Sequence, residues 1–163
     1  MIVIHYTAIP TLQATLRTFK PVKIHSHRTY IKKFGELNVG VHFVVDKNGD
    51  IYSLLPEDVI GRHTIGFNHI AFGIENVAGD KTELTGEQMK SNARLVNYLV
   101  HKYPSIKYLI GHHEYMREKL PHFKLFKELD ENYKPTKKGD PGEDFMMRLR
   151  VMLKKNYEIE LEK

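Results

Sequence analysis

The chain has 163 residues, 41% hydrophobic and 28% charged, which suits one globular domain with a real core and leaves no run of 18 apolar residues able to span a membrane as a helix. It contains no cysteine, so disulfides and thiolate metal centres are excluded, and a zinc site would have to use histidine and carboxylate. The net charge of +5 favours an anionic partner such as cell wall, nucleic acid or phospholipid, although it is diffuse, and pairs such as Lys32–Lys33 and Lys137–Lys138 read as solvated faces.

From the N-terminus, Ile2–Thr7 is β-branched and aromatic and reads as a buried central strand. Thr11–Phe19 predicts a short helix stopped by Pro21, and residues 25–38 a basic loop with one helical turn. Val39–Val45 and Asp50–Leu55 flank Asp46-Lys47-Asn48-Gly49, the signature of a β-hairpin. Ala71–Val77 is a further apolar strand. Thr85 with Gln88 fits a capping box; Met89, Ala93, Val96 and Val100 then recur at helical spacing until Pro104. Ile106–Ile110 predicts a short strand that delivers His112 at its C-terminal end. Residues 114–138 are polar, basic and proline-containing, mostly loop with a turn or two of helix, and Phe145–Leu153 is a last amphipathic helix. The order implies an α/β fold: a single domain over residues 1–163 with a central mixed β-sheet flanked by helices.

Two imidazoles and one carboxylate, His5 in IVIHYTA, His112 in GHHEY and Asp140 in KGDPG, would make a three-ligand set with one position open, the arrangement by which zinc activates water for hydrolysis of an amide or ester. Taken singly, each has a plainer reading: His5 as a hydrogen-bonded core histidine, His112 as a loop histidine next to His113, Asp140 as a turn residue before Pro-Gly. Glu75 changes the weighing. A carboxylate in the apolar strand AFGIENVA is costly without a partner or a task, and near a zinc-activated water it can act as general base. Lys138, two residues before Asp140, could steady the oxyanion formed when water attacks a carbonyl.

With those residues in view, the chain resembles the zinc-dependent N-acetylmuramoyl-L-alanine amidases, the group that includes phage amidase-lysozymes and peptidoglycan recognition proteins. IVIHYTA, VGVHFVVDKNGDIY, GRHTIGFNHIAFGIENVAGD, LIGHHEY and KGDPGEDF occur in the family's order over nearly the whole chain. The resemblance implies an amidase-like fold, one Zn²⁺ per chain held by His5, His112 and Asp140, Glu75 activating the water, Lys138 at the oxyanion, and His63 and Asn68 lining the substrate cleft. It implies cleavage between N-acetylmuramic acid and L-alanine in peptidoglycan or muropeptides, by a monomer that binds neither nucleic acid nor inserts into membrane.

Two departures stand out. Phage-type members place a tyrosine where this chain has Val41, which puts the catalytic burden on Glu75, and 28 positions separate His112 from Asp140, so residues 114–138 are expected to form a flap insertion near the site. His25, His27, His101 and His122 match no motif and are expected on the surface or on helix faces, while His42 and His69 fall in motif stretches near the cleft. A non-catalytic peptidoglycan-binding module on the same fold is the main rival. A basic nucleic-acid-binding protein is the second, although no nucleic-acid motif supports it. No signal peptide is visible. That leaves a cell-envelope enzyme with its export segment removed, or a phage lysin cytoplasmic until release.

Overall fold

The computed structural model describes residues 1–163 and contains five strands, β1 (Ile2–Tyr6), β2 (Phe43–Val45), β3 (Ile51–Ser53), β4 (Phe72–Asn76) and β5 (Leu109–Gly111). They form one mixed sheet in the order β3-β2-β4-β1-β5. β1 pairs in parallel with β4 and β5, and β2 in parallel with β4; β3 is antiparallel to β2. The predicted hairpin is therefore present. Its turn closes with Asp46 N–H donating to Asp50 O at 2.8 Å and Gly49 N–H to Asp46 O at 2.9 Å. Gly49 has φ +91°, and a Cβ there would stand 2.9 Å from Ser91 Oγ, so the turn needs glycine both for its backbone and for the approach of the following helix.

Three helices pack on the sheet, α1 (Leu12–Phe19), α3 (Gly86–Lys102) and α4 (Glu143–Tyr157), and a single helical turn, α2 (Thr29–Lys32), lies in the stretch between α1 and β2. The capping box at α3 is formed as expected, with Thr85 Oγ1 accepting from Gln88 N–H and Gln88 Oε1 from Thr85 N–H. Ile2, Ile4, Phe43, Val45, Ile74 and Leu109 face α3 and α4 and make the larger core with Met89, Val96, Leu99, Phe145, Met146 and Leu149. The other sheet face carries Val3 and Ile110 beside Phe67 and Tyr115, and Val44 beside Val41 and Val77, against which α1 packs Leu12 and Phe19. No helix is long and apolar enough to cross a membrane.

Strand alternation positions the site. Ile4 and Ile74 belong to the helix-covered face, so their neighbours His5 and Glu75 point to the opposite one. The register places His5 beside Glu75 at the C-terminal ends of two parallel strands, where open α/β sheets bind ligands. β5 ends at Gly111, and His112 follows at once in a 3₁₀ turn.

Several element ends differ from expectation. β5 starts at Leu109 rather than Ile106, because Ile106 N–H turns back to Tyr103 O at 3.0 Å. β2 is shorter than Val39–Val45, since Gly40 N–H leaves the ladder for Arg62 O at 3.1 Å. α4 extends beyond Phe145–Leu153 at both ends: its apolar residues mark the buried face, while Glu143 and Asp144 favour the first turn through the helix dipole. His122 is not on the surface. It is fully buried, with Nε2 3.3 Å from Tyr115 O and its ring against Phe67, because the 3₁₀ turn Pro121–Leu125 folds back onto the second core.

Candidate metal centre and active site

The ends of β1 and β5 and the loop before α4 bring His5, His112 and Asp140 together from three distant parts of the chain. His5 Nδ1 lies 2.9 Å from His112 Nδ1, and Asp140 Oδ2 lies 3.3 Å and 3.1 Å from those two nitrogens. Both imidazoles are buried and the Asp140 side chain is 15% exposed, so the triangle opens towards solvent on the carboxylate side. Burial pushes the His112 imidazole down to about 4, reinforced by the charge of His5 and opposed by Asp140. Burial alone would raise Asp140, but hydrogen bonds from and proximity to His112 and His5 hold it well below the usual carboxylate range. Neutral imidazole and ionised carboxylate are the states a metal ion needs.

Hydrogen bonds behind the triangle fix which nitrogen of His5 faces it. His63 Nε2 is 3.1 Å from Ala71 O, an acceptor only, so His63 carries its proton there. His63 Nδ1 is then an acceptor, 3.2 Å from His5 Nε2 and 2.9 Å from Thr64 Oγ1. A proton on His5 Nε2 leaves the lone pair of His5 Nδ1 facing His112 and Asp140. This is the outer-shell arrangement that orients metal-binding histidines. Gly73 makes room for it, since a Cβ at that position would stand 2.8 Å from the His63 ring. Burial and the charge of His5 lower the His63 imidazole further, in keeping with its neutral role.

Asn68 serves the same loop. Its Oδ1 accepts from the backbone N–H groups of His63 and Thr64 at 2.8 and 2.7 Å, which holds His63 against His5. His63 and Asn68 both line the cleft, and in both the polar atoms described are engaged with the protein itself. His42 is held behind His63 between Val59 O and Gly73 N–H, and His69 lies exposed beside a neighbouring groove. Val41 is fully buried in the core under α1.

Glu75 is buried, and its Oε2 has no hydrogen-bond partner. Burial raises its carboxyl to about 7; His5 opposes that rise, Asp140 adds to it, and Arg28 and Lys138 oppose it. An unpartnered carboxylate on the strand next to His5 suits a group that handles protons near neutral pH. Lys138 lines the same cleft, a cavity of about 310 Å³. The donor set therefore fits a divalent ion such as zinc: two imidazole nitrogens and one carboxylate oxygen, close to the mutual spacing of ligands around a small tetrahedral ion, with a free carboxylate beside them. A second group, His113, Glu114 and Glu143, does not: Arg150 Nη2 pairs with Glu114 at 2.5 Å and Arg117 with Glu143, so its carboxylates are already neutralised.

Sequence reasoning missed Thr64, Arg28, Arg62 and Tyr133, all of which line the cleft. Thr64 had one available signal, its place directly after His63. Arg28 and Tyr133 sit in stretches with no periodicity or motif, and only the folded chain brings them to the site.

The sequence model of the family described as N-acetylmuramoyl-L-alanine amidase matches residues 1–143. The endolysin of Escherichia phage T7 is 32% identical over 117 residues, covering 68% of this chain and 77% of the phage protein. The solved structure of the N-acetylmuramoyl-L-alanine amidase LysC from Clostridium intestinale URNW superposes with TM-score 0.61 at 28% identity, covering 94% of this chain and 83% of that one. The endolysin amidase LysCS from the same organism gives 0.53 at 34% identity, with 69% and 67% covered. The chain belongs to the N-acetylmuramoyl-L-alanine amidase family.

Proposed function

We propose that the protein is a zinc-dependent amidase of peptidoglycan that hydrolyses the bond between the lactyl carbonyl of N-acetylmuramic acid and L-alanine. One observation carries this reading: His5 Nδ1, His112 Nδ1 and Asp140 Oδ2 converge beside a buried Glu75 whose Oε2 has no partner. His5, His112 and Asp140 would hold one zinc ion per chain, which when bound supplies Lewis acidity to the attacking water and the scissile carbonyl. Glu75 takes the proton of the water and returns it to the leaving amine, a role suited to a buried carboxyl whose Oε2 no protein group holds. Lys138, on the cleft wall, donates to the oxyanion as it develops. His63, Thr64 and Asn68 keep the His5 ring in its metal-facing tautomer. A module that only bound peptidoglycan would have no use for the free base beside a full ligand set.

Likeness to phage endolysins supports a lysin that meets its substrate on leaving the cytoplasm. The test is digestion of purified sacculi. The reading expects new L-alanine amino termini and intact stem peptides by mass; release of reducing sugar ends or shortened stems in their place would contradict it.

A further inference from the structure

Two arginines line the cleft, and they differ in what holds them. Arg62 is fully engaged: its Nη1 and Nη2 donate to the carbonyls of Leu37 at 2.6 Å, Ile31 at 2.9 Å, and Gly35 and Phe34 at 3.4 Å, closing the turn after α2. Its guanidinium also lies 5.4 Å from the centre of the Tyr133 ring. Arg28, directly before α2, lines the same cleft, yet its Nη1 is shut off from solvent and has no acceptor. The carboxylate that faces the same cleft is Glu75, but Glu75 Oε2 is unpartnered as well. Neither group therefore satisfies the other. A shielded guanidinium nitrogen without an acceptor is destabilising, so its place at a binding cleft points to an acceptor that arrives with the ligand.

A guanidinium presents a planar fork that matches a carboxylate in bidentate fashion. In the substrate class proposed above, the scissile amide leads into L-alanine, and the first free carboxylate beyond it is the α-carboxylate of the γ-linked D-glutamate that follows. We propose that Arg28 is a specificity-determining residue of the cleft, pairing with that carboxylate and selecting stems in which it is free over stems in which it is amidated. The inference rests on the amidase reading and adds the group recognised beside the scissile bond.

The experiment compares kcat/KM of the zinc-loaded protein on two synthetic substrates, N-acetylmuramoyl-L-Ala-D-isoglutamate and its D-isoglutamine counterpart, which differ only in that carboxylate. A charge-assisted pair predicts a preference of about tenfold to a hundredfold for the acid. Arg28→Ala should bring the ratio of the two kcat/KM values to about one, over and above any change that reaches both substrates alike through Glu75, and Arg28→Lys should keep part of the preference as a point charge. Arg28→Gln, close in length and polarity, replaces the alanine variant if that one fails to fold. Equal rates on the two substrates in the wild type would overturn the proposal and leave the amidase reading standing. A parallel loss on both substrates in Arg28→Ala would also overturn it, since Arg28 would then act through Glu75. Cleavage of neither by the wild type would bring down the amidase reading and this inference with it.

Discussion

Glu75 carries its charge state as a consequence of where β4 ends. The folded protein holds its carboxyl at about 7 against an ordinary 4.5, chiefly through burial, so the fold favours the protonated form. Its contribution to stability is complete below 4.5 and is lost as pH rises through 7, by an amount on the order of 3 kcal/mol. In metal-free protein, Glu75→Gln should match the wild type near pH 4 and become progressively more stable than it towards pH 8, read by denaturant titration at each pH. A constant difference across that range would contradict the burial of a titrating carboxyl. Lys138, which lines the cleft, is proposed to act in the reaction rather than in the fold. Lys138→Ala should keep zinc content and melting temperature while turnover falls about 10²–10³-fold, and a rate within a few-fold of wild type would remove it from the oxyanion. At this scale the sequence pointed to His5, Glu75 and His112, because a polar residue in an apolar strand or at a strand end is visible without a structure, and to Asp140 only by its place in the KGDPG motif. Thr64 had only its place after His63 to mark it, and Arg28 had nothing: the first acts on a ring 59 positions away and the second is one basic residue among many in a loop. Asn68 was legible by its place in a motif, but not the way its Oδ1 holds the His63 loop.

The elements were largely readable because they are amphipathic in the ordinary way. Met89, Ala93 and Val96 are buried along α3, as helical spacing predicts, and the Asn-Gly turn joins β2 to β3. Alternation did the rest, turning His5 and Glu75 away from the helix-covered face. What periodicity could not show is the buried polar seam under the site. Asn76 Nδ2 donates to His5 O at 3.0 Å, Asn92 Nδ2 to Asn76 Oδ1 at 2.6 Å, and Gln88 Nε2 to Val45 O and Val77 O at 3.1 and 3.0 Å. Gln88 thus caps α3 with one side-chain atom and ties two strands with another. Thr85 carries the reciprocal cap and also donates to Lys47 O at 2.8 Å, joining α3 to the hairpin turn. Thr85→Ala should cost about 1 kcal/mol or somewhat more, seen as a lower melting temperature with the zinc stoichiometry unchanged. An unaltered melting temperature would mean that the cap adds nothing to the fold.

Across the whole molecule, the sheet order and the meeting of residues 5, 75, 112 and 140 follow from parallel crossovers, which a strand count suggests but does not fix. The stretch 114–138 was the least legible part. It has no period to read, and its anchors are long-range: Tyr115 and His122 buried in the second core, and Tyr133 stacked on Phe34 with ring centres 4.4 Å apart. We read it as a flap that walls the cleft through Tyr133. Tyr133→Ala should then raise KM for muropeptides with kcat nearly unchanged, whereas an unchanged KM would remove the wall from substrate binding. The net charge of +5 suits an anionic wall polymer, which would make the rate on sacculi fall with added salt. The central claim, that His5, His112 and Asp140 form a working metal centre, is tested most directly by measuring metal content and muropeptide hydrolysis on one preparation before and after chelation. The account predicts about one zinc per chain, loss of activity with the metal, and its return when zinc is restored. Full hydrolysis by metal-free protein would contradict it.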